Sequence, residues 1–520
     1  IRDVAVTGVQ TCALPIFIGE ETTRTVVEND IIVPDIKPDI SRILLLDGDV
    51  IVKNTDISLD RITIHGSIQY KILYLPEDRN FGIKCINTSC DFSYNLDSPG
   101  ARQGMKCKPK CYLEHVESSI LNGRKINVKA IVSMQTKVTN EEIIDITTGI
   151  EGLDNIQVLK NNVNLNSYIG NTQSECVVKE IIEIPSGKPA IKEILRNDVK
   201  ITNKEHDISE NKVIVKGDLN ISTLYVSDDE NNSIQYMEHE IPFSHLIDFE
   251  GINENSACDI DYNIAEMAFD PAEDSDGELK MLNCDVTLNI NVSAFDKRFI
   301  QIIDDAYSTS ARINFERKSL QFEDILSENN VQLTAKESIP IEENEPEVAE
   351  IFNVICKPLL ADCTIDNEKV TLEGVLSTNI LYLTGSGEQP VYCKNRDIPF
   401  KQTFEVKGIK EGMKIDAQLD VEHCSYNIIS SGEVDIRITI NANVKVNYLT
   451  ALPVIIKASD SPIEEKKRQN ASITIYFVQP NDNLWKIAKK YLKTVDEIKK
   501  LNNIEDNDPL AVGQQILIPR

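Results

Sequence analysis

The sequence predicts a mainly β chain: three tandem antiparallel β units of sandwich or barrel type, then a small βααβ domain. Three observations predict this. A strand pattern of Lys/Arg-apolar-x-apolar-x-Gly, continuing to apolar-Tyr-apolar, is written three times, as RITIHGSIQYKILYL (61–75), KVIVKGDLNISTLYV (212–226) and KVTLEGVLSTNILYL (369–383). Each glycine (Gly66, Gly217, Gly374) has a proline 28 residues before it (Pro38, Pro189, Pro346) and a phenylalanine 26 residues after it (Phe92, Phe243, Phe400). The last fifty residues instead carry two short helical periodicities between strand-like runs. Repeats of about 130 residues are too long for a solenoid and near the usual domain size, so each buries its own core.

Elements follow in order within each unit. The proline opens PDISRIL (38–44), PAIKEIL (189–195) and PEVAEIF (346–352). Proline followed by apolar residues at i and i+3 predicts a short helix there. The next stretch, of the form D-x-D-V-x-V, predicts a strand. In the repeat strand, Ile62, Ile64, Gly66, Ile68, Tyr70, Ile72 and Tyr74 share one face, while Thr63, His65, Ser67, Gln69 and Lys71 share the other. Period two with one polar face marks a half-buried antiparallel strand. A second alternating strand closes each unit: Ile126 to Met134 in the first and Val434 to Val444 in the third, each beginning 60 residues after the unit's glycine. In the second unit the matching Cys284 comes 67 residues after Gly217, and the extra length coincides with the acidic stretch DPAEDSDGE (270–278). A solvated surface loop is expected there; Asp274-x-Asp276-Gly277 is only a fragment of a calcium-loop pattern. Tyr74, Tyr225 and Tyr382 recur on the core face and are expected to pack.

The tail reads strand, helix, helix, strand. Ile473, Ile475 and Phe477 alternate. Leu484, Ile487, Ala488 and Tyr491 form one helical face with Asn483 as N-cap. Thr494 to Glu497 is a capping box for a second helix, with Ile498 and Leu501 toward the core, and Gln515 to Ile518 return as a strand. The expected boundaries are units at 18–150, 165–300 and 325–450, a linker at 451–471 and a terminal domain at 472–520. Residues 1–17 begin without methionine and resemble a translated sequencing-adapter read-through, so an adapter-derived artefact is expected there.

Charge limits the partners. The chain carries a formal net charge of −29, and the tail from 471 onward is +1, so the acidity lies in the units. Phosphate backbones and anionic membrane surfaces are disfavoured. No run approaches the roughly 20 apolar residues of a membrane helix. Twelve cysteines in 520 residues are too sparse for a disulfide scaffold, and reduced cytosolic thiols are expected.

VVENDIIVPDIKPDISRILLLDGDV (26–50) and the G…LY strand after it resemble the SPOCS domain of bacterial spore-coat proteins, in three copies over roughly 18–450. The third copy lacks the VPDIKPD run and reads PIEENEP (340–346). The tail YFVQPNDNLWKIAKKYLKTVDEIKKLNNIEDNDPLAVGQQILIP (476–519) resembles the LysM domain throughout. That resemblance implies binding of N-acetylglucosamine polymers such as peptidoglycan in a shallow groove between two loops. Here the loops are Pro480, Asn481, Asp482, Asn483, Leu484 and Asp508, Pro509, Leu510, Ala511, Val512, Gly513. The usual Gly-Asp-Thr-Leu is Asn481-Asp482-Asn483-Leu484; asparagine tolerates the left-handed backbone and caps a helix as threonine does, but it places a side chain where backbone was open.

No GxxxxGK[ST], HExxH, GxSxG or dinucleotide fingerprint occurs, so no enzyme, cofactor or metal is expected. Cys85, Cys90, Cys107 and Cys111, with His115 nearby, are the one set weighed for zinc; packed thiols are favoured over it. Three SPOCS copies followed by LysM is the domain order of clostridial SipL-type coat morphogenesis proteins. The resemblance implies a non-enzymatic scaffold in the mother-cell cytoplasm at the forespore surface. Its LysM tail would dock on the coat-basement ATPase or on other coat proteins. The alternative is a peptidoglycan-binding wall protein.

Overall fold

The computed structural model describes residues 5–78, 82–151, 155–230, 232–384, 391–461, 473–505 and 510–519. Unit one comprises β1 (Ala5–Ile32), β2 (Ile40–Ser58), β3 (Arg61–Pro76), β4 (Lys84–Asp97), β5 (Lys106–Asn122) and β6 (Lys125–Glu151). Unit two repeats them as β7 (Ile156–Glu183), β8 (Ile191–Ser209), β9 (Lys212–Ser227), β10 (Ile234–Asp248), β11 (Ala257–Ala272) and β12 (Met281–Ser308). Unit three follows with β13 (Arg312–Pro340), β14 (Val348–Asp366), β15 (Lys369–Thr384), β16 (Val391–Glu405), β17 (Lys414–Ser430) and β18 (Glu433–Ser461). In each unit the second, third and fourth strands form one antiparallel sheet, and the first, sixth and fifth form another. Side chains of both sheets fill the core between them, as in a sandwich. One bridge, Ile16 opposite Phe322, joins the larger sheets of units one and three.

The three sequence anchors have one structural explanation. Gly66, Gly217 and Gly374 lie directly opposite Phe92, Phe243 and Phe400 on the neighbouring strand. A Cβ at Gly66 would come within 2.7 Å of the Phe92 ring, and one at Gly374 within 2.4 Å of the Leu359 carbonyl oxygen and 2.5 Å of the Phe400 ring. The missing side chain is therefore the seat of the ring. The proline is tied in by the tyrosine: the hydroxyls of Tyr74, Tyr225 and Tyr382 donate to the carbonyl oxygens of Pro38, Pro189 and Pro346 at 2.9, 3.0 and 3.0 Å. Each of these tyrosines is buried and would otherwise hold an unsatisfied hydroxyl.

The helix expected after each proline is absent. Ile40, Ile191 and Val348 instead open the strands β2, β8 and β14. Their register slips twice in the first residues, between Ile40 and Arg42 and again between Ile43 and Leu45, with matching slips in β8 and β14. Bulges insert an extra residue into the period of two. The resulting spacing of three imitates a helical face.

The units are also longer than their sequence boundaries. Residues 451–461, expected in a linker, are the last part of β18 and pair with β13. Residues 5–17 are the first part of β1, paired with β6, and Leu14 is buried. In unit one they take the place that 156–168 holds in unit two, at the repeat offset of 151. The six long strands β1, β6, β7, β12, β13 and β18 thus run beyond their sandwiches and share a core containing Leu14, Ile146, Leu165, Ile302, Phe322 and Val454.

A second shared core lies among the smaller sheets. Leu73, Leu224 and Leu381, equivalent in the three repeats, meet there with Leu195 and Phe352. Beside it Arg196 of unit two, almost fully buried, donates to Asp47 of unit one at 2.6 Å and to Asp198 at 2.5 Å. Lys71 of unit one reaches Asp198 at 2.8 Å, and Lys357 of unit three reaches Asp47 at 2.6 Å. Lys445 binds Asp259 at 2.8 Å, linking unit three to unit two. The repeats therefore form one packed body rather than beads on links.

Candidate functional site: the groove of the terminal domain

The tail folds as β19 (Ile473–Phe477), α1 (Leu484–Tyr491), α2 (Val495–Asn502) and β20 (Gln515–Pro519), with the two strands antiparallel. Its core is Val478, Ile487, Ala488, Ile498, Ile516 and Ile518. The expected strands and helices form, with one change of facing, at Leu501. Ile473, Ile475 and Phe477 point to solvent, each about half exposed, and the inward side of this segment is Tyr476 and Val478. Alternation alone does not say which side of a two-stranded ribbon is covered, and here the helices cover the other one. Leu501 is likewise exposed; Asn502 beside it faces inward. Asn502 accepts from the Leu517 N–H at 2.7 Å and donates to the Leu517 and Ile498 carbonyls at 2.7 and 2.8 Å, so it pins α2 to β20.

The first loop is built by its own side chains. Asn481 adopts a left-handed backbone, φ 65°, where the usual sequence has glycine. Asparagine bears that conformation better than most residues. Lys486 donates to its carbonyl at 2.8 Å. The Asp482 carboxylate accepts from the Tyr476 hydroxyl at 2.6 Å and from the Gln479 N–H at 2.8 Å. The Tyr476 bond, then the Gln479 bond, hold this carboxyl below its ordinary range. The Asn483 side chain accepts from the Lys486 N–H at 2.8 Å and so caps α1.

The second loop lies alongside. Gly513, with φ 85°, donates to the Val478 carbonyl at 2.8 Å, and Val478 donates to the Gln514 carbonyl at 3.0 Å. Two backbone bonds thus hold the loops together at the floor of the groove. Leu484 and Leu510 turn into the core. Pro480, Asn481, Ala511 and Val512 are exposed, Val512 at 68 %. Asp508 and Pro509 lie outside the described residues. The structure brings the remaining nine groove positions together but commits the polar side chains of Asp482 and Asn483 to the fold. What it leaves open is a largely apolar rim.

The tail also touches the body. Trp485, the sole tryptophan, donates from Nε1 to Asp305 of β12 at 2.9 Å and packs edge-on against Tyr307 with ring centroids 4.9 Å apart. Lys489 reaches the same carboxylate at 2.6 Å, and the Tyr307 hydroxyl donates to the Lys493 carbonyl at 2.7 Å. Asp305 and Tyr307 belong to no repeat anchor, so sequence spacing gave no signal for them.

The description SipL, SPOCS domain matches at residues 39–121, 190–271 and 347–429, and the description LysM domain matches at 476–519. The chain is a SPOCS–LysM protein. The three SPOCS matches run from the first bulged strand to the fifth strand of each unit; the long outer strands lie outside them. Among curated proteins and solved structures, none matches the chain. No helix among the described residues is long and apolar enough to cross a membrane.

Cys85 joins the core shared by the three units, while Cys90, Cys107 and Cys111 pack around the core of unit one. No group of three or more potential metal ligands occurs among the described residues. The acidic stretch of unit two is a loop after β11, where the Asp274 carboxylate accepts from the N–H groups of Asp276 at 2.9 Å and Glu278 at 3.0 Å.

Proposed function

We propose that this SPOCS–LysM protein is a non-enzymatic scaffold of spore-envelope assembly whose LysM groove docks on a protein partner, the coat-basement ATPase. Its domain content fits a sporulation protein with a LysM module of the peptidoglycan-binding class. One observation favours a protein partner: Asp482 and Asn483 spend their polar groups inside the loop, and the open rim is Pro480, Asn481, Ala511 and Val512, apolar but for Asn481. Exposed apolar residues of this kind suit a protein contact, and with the Asp482 and Asn483 side chains committed to the loop few side-chain groups are left to orient a sugar. The three units supply a broad acidic body, consistent with several simultaneous contacts at the forespore surface in the mother-cell cytoplasm. Purified full-length protein is mixed with the ATPase and, separately, with insoluble peptidoglycan. Retention by the ATPase, weakened by Val512→Asp, supports the reading. Pelleting with peptidoglycan alone replaces it with the second reading, in which backbone groups and Asn481 hold the glycan.

A further inference from the structure

Cys356 on β14 and Cys424 on β17 lie 3.7 Å apart, sulfur to sulfur. No repeat anchor marks them. At the repeat offsets, unit two has Val199 and Met267 and unit one has Gly48 and Val116, so the pair exists only in unit three. Its position is structural as well as chemical. β14 is an edge strand of the smaller sheet and β17 an edge strand of the larger one. The two edges face each other along one seam of the sandwich, where the Tyr426 hydroxyl also donates to the Ile351 carbonyl at 3.2 Å. Both thiols are partly buried but not sealed. The other free thiols with described side chains show no such sulfur–sulfur approach.

We infer that Cys356 and Cys424 are a dithiol that low-molecular-weight disulfides, such as oxidised glutathione, convert to a disulfide stapling the open seam of unit three. The two sulfurs need to close only from contact distance to bond distance, across strands of different sheets. The chemistry balances. The Cys356 thiolate attacks one sulfur of the small disulfide and expels one small thiol. The Cys424 sulfur, after losing its proton, attacks the Cys356 sulfur of the mixed disulfide and expels the second. Two protein thiols become one disulfide, and one small disulfide becomes two small thiols.

The surroundings favour this order. The two thiols share one contact in which either sulfur can be the donor; that contact, then Thr378 and Lys200 of unit two, favour a thiolate at Cys356 against the effect of burial. Cys424 is raised by the same bond and by burial. Thr378 acts on Cys356 and not on Cys424, which makes Cys356 the attacking thiol of the proposed exchange and Cys424 the resolving one. The disulfide closes a loop from 356 to 424, spanning the repeat strand and its Phe400 partner, and so restricts the unfolded chain of that unit.

The test uses the full-length chain, reduced and then exposed to oxidised glutathione. Remaining thiols are blocked with N-ethylmaleimide, and peptides are mapped under non-reducing conditions. The expected result is a cross-linked peptide pair joining Cys356 to Cys424 ahead of any other pair. It should come with a rise of several degrees in thermal midpoint that a reductant reverses and that Cys424→Ser abolishes. Both cysteines recovered as maleimide adducts, as separate glutathione adducts, or joined to other cysteines would overturn the inference. The mapping is done on the unsubstituted chain, so it decides even if the serine variant folds poorly.

Discussion

Arg196→Met removes a guanidinium that ties unit two to unit one at the shared centre, and keeps a long apolar stem in its place. Arg196 is 4 % exposed and serves two carboxylates, Asp47 and Asp198. Stripping one partner from a buried ion pair costs about 3–5 kcal/mol. Here Asp47 keeps Lys357 and Asp198 keeps Lys71, so the expected loss is smaller, about 2–3 kcal/mol. Adding Asp47→Leu should restore part of it, because it removes a carboxylate that Arg196→Met leaves short of a partner, while Lys357 keeps Asp49. The assay is urea unfolding of the single and double variants by circular dichroism, read as a double-mutant cycle. Acid supplies a second readout. Burial by itself would raise the Asp47 carboxyl, but Lys357 and then Arg196 hold it well below its usual range. A carboxyl depressed in the folded state contributes stability above its unfolded pKa, near 4, and loses it as pH falls further. The native protein should therefore weaken steeply below about pH 4, and Arg196→Met less steeply. An unchanged midpoint in Arg196→Met, or zero coupling with Asp47→Leu, refutes the packing of the units around this cluster.

Gly374→Ala forces a Cβ to within 2.4 Å of a backbone oxygen and should cost about 1–3 kcal/mol, more than Gly217→Ala, whose nearest contact is the movable Phe243 ring at 2.9 Å; equal denaturation midpoints for the two variants would count against the ring-seat explanation. Tyr225→Phe should cost about 1 kcal/mol by leaving the Pro189 carbonyl without its donor, measured by the same melts. Asp305→Ala frees both the Trp485 indole and Lys489, so tryptophan emission should shift to the red. Unchanged emission would mean that the tail does not rest on unit two.

Legibility followed periodicity. The repeat strand, the closing strand and the two tail helices were readable because their apolar residues keep one period and one covered face, as Ile62 to Tyr74 and Ile487 with Ala488 show. The post-proline segments misled because bulges at Ile40 and Ile43 change the period locally. The outward face of Ile473, Ile475 and Phe477 was unreadable because a two-stranded ribbon has two candidate sides. Groove positions were legible by motif, but their state was not. That Asp482 is held by Tyr476 depends on an approach across the loop that spacing does not encode. The contacts between units were least visible of all. Arg196 reads in sequence as an ordinary polar residue on a strand, and only the meeting of three units buries it.

The most direct measurement for the scaffold reading is paired binding of the full-length protein and its Val512→Asp variant to the coat-basement ATPase and to insoluble peptidoglycan, under one buffer condition. The proposed docking predicts that the ATPase retains the native chain, that Val512→Asp loses most of that retention, and that peptidoglycan sediments neither. A native chain that pellets with peptidoglycan and passes the ATPase unretained would contradict it.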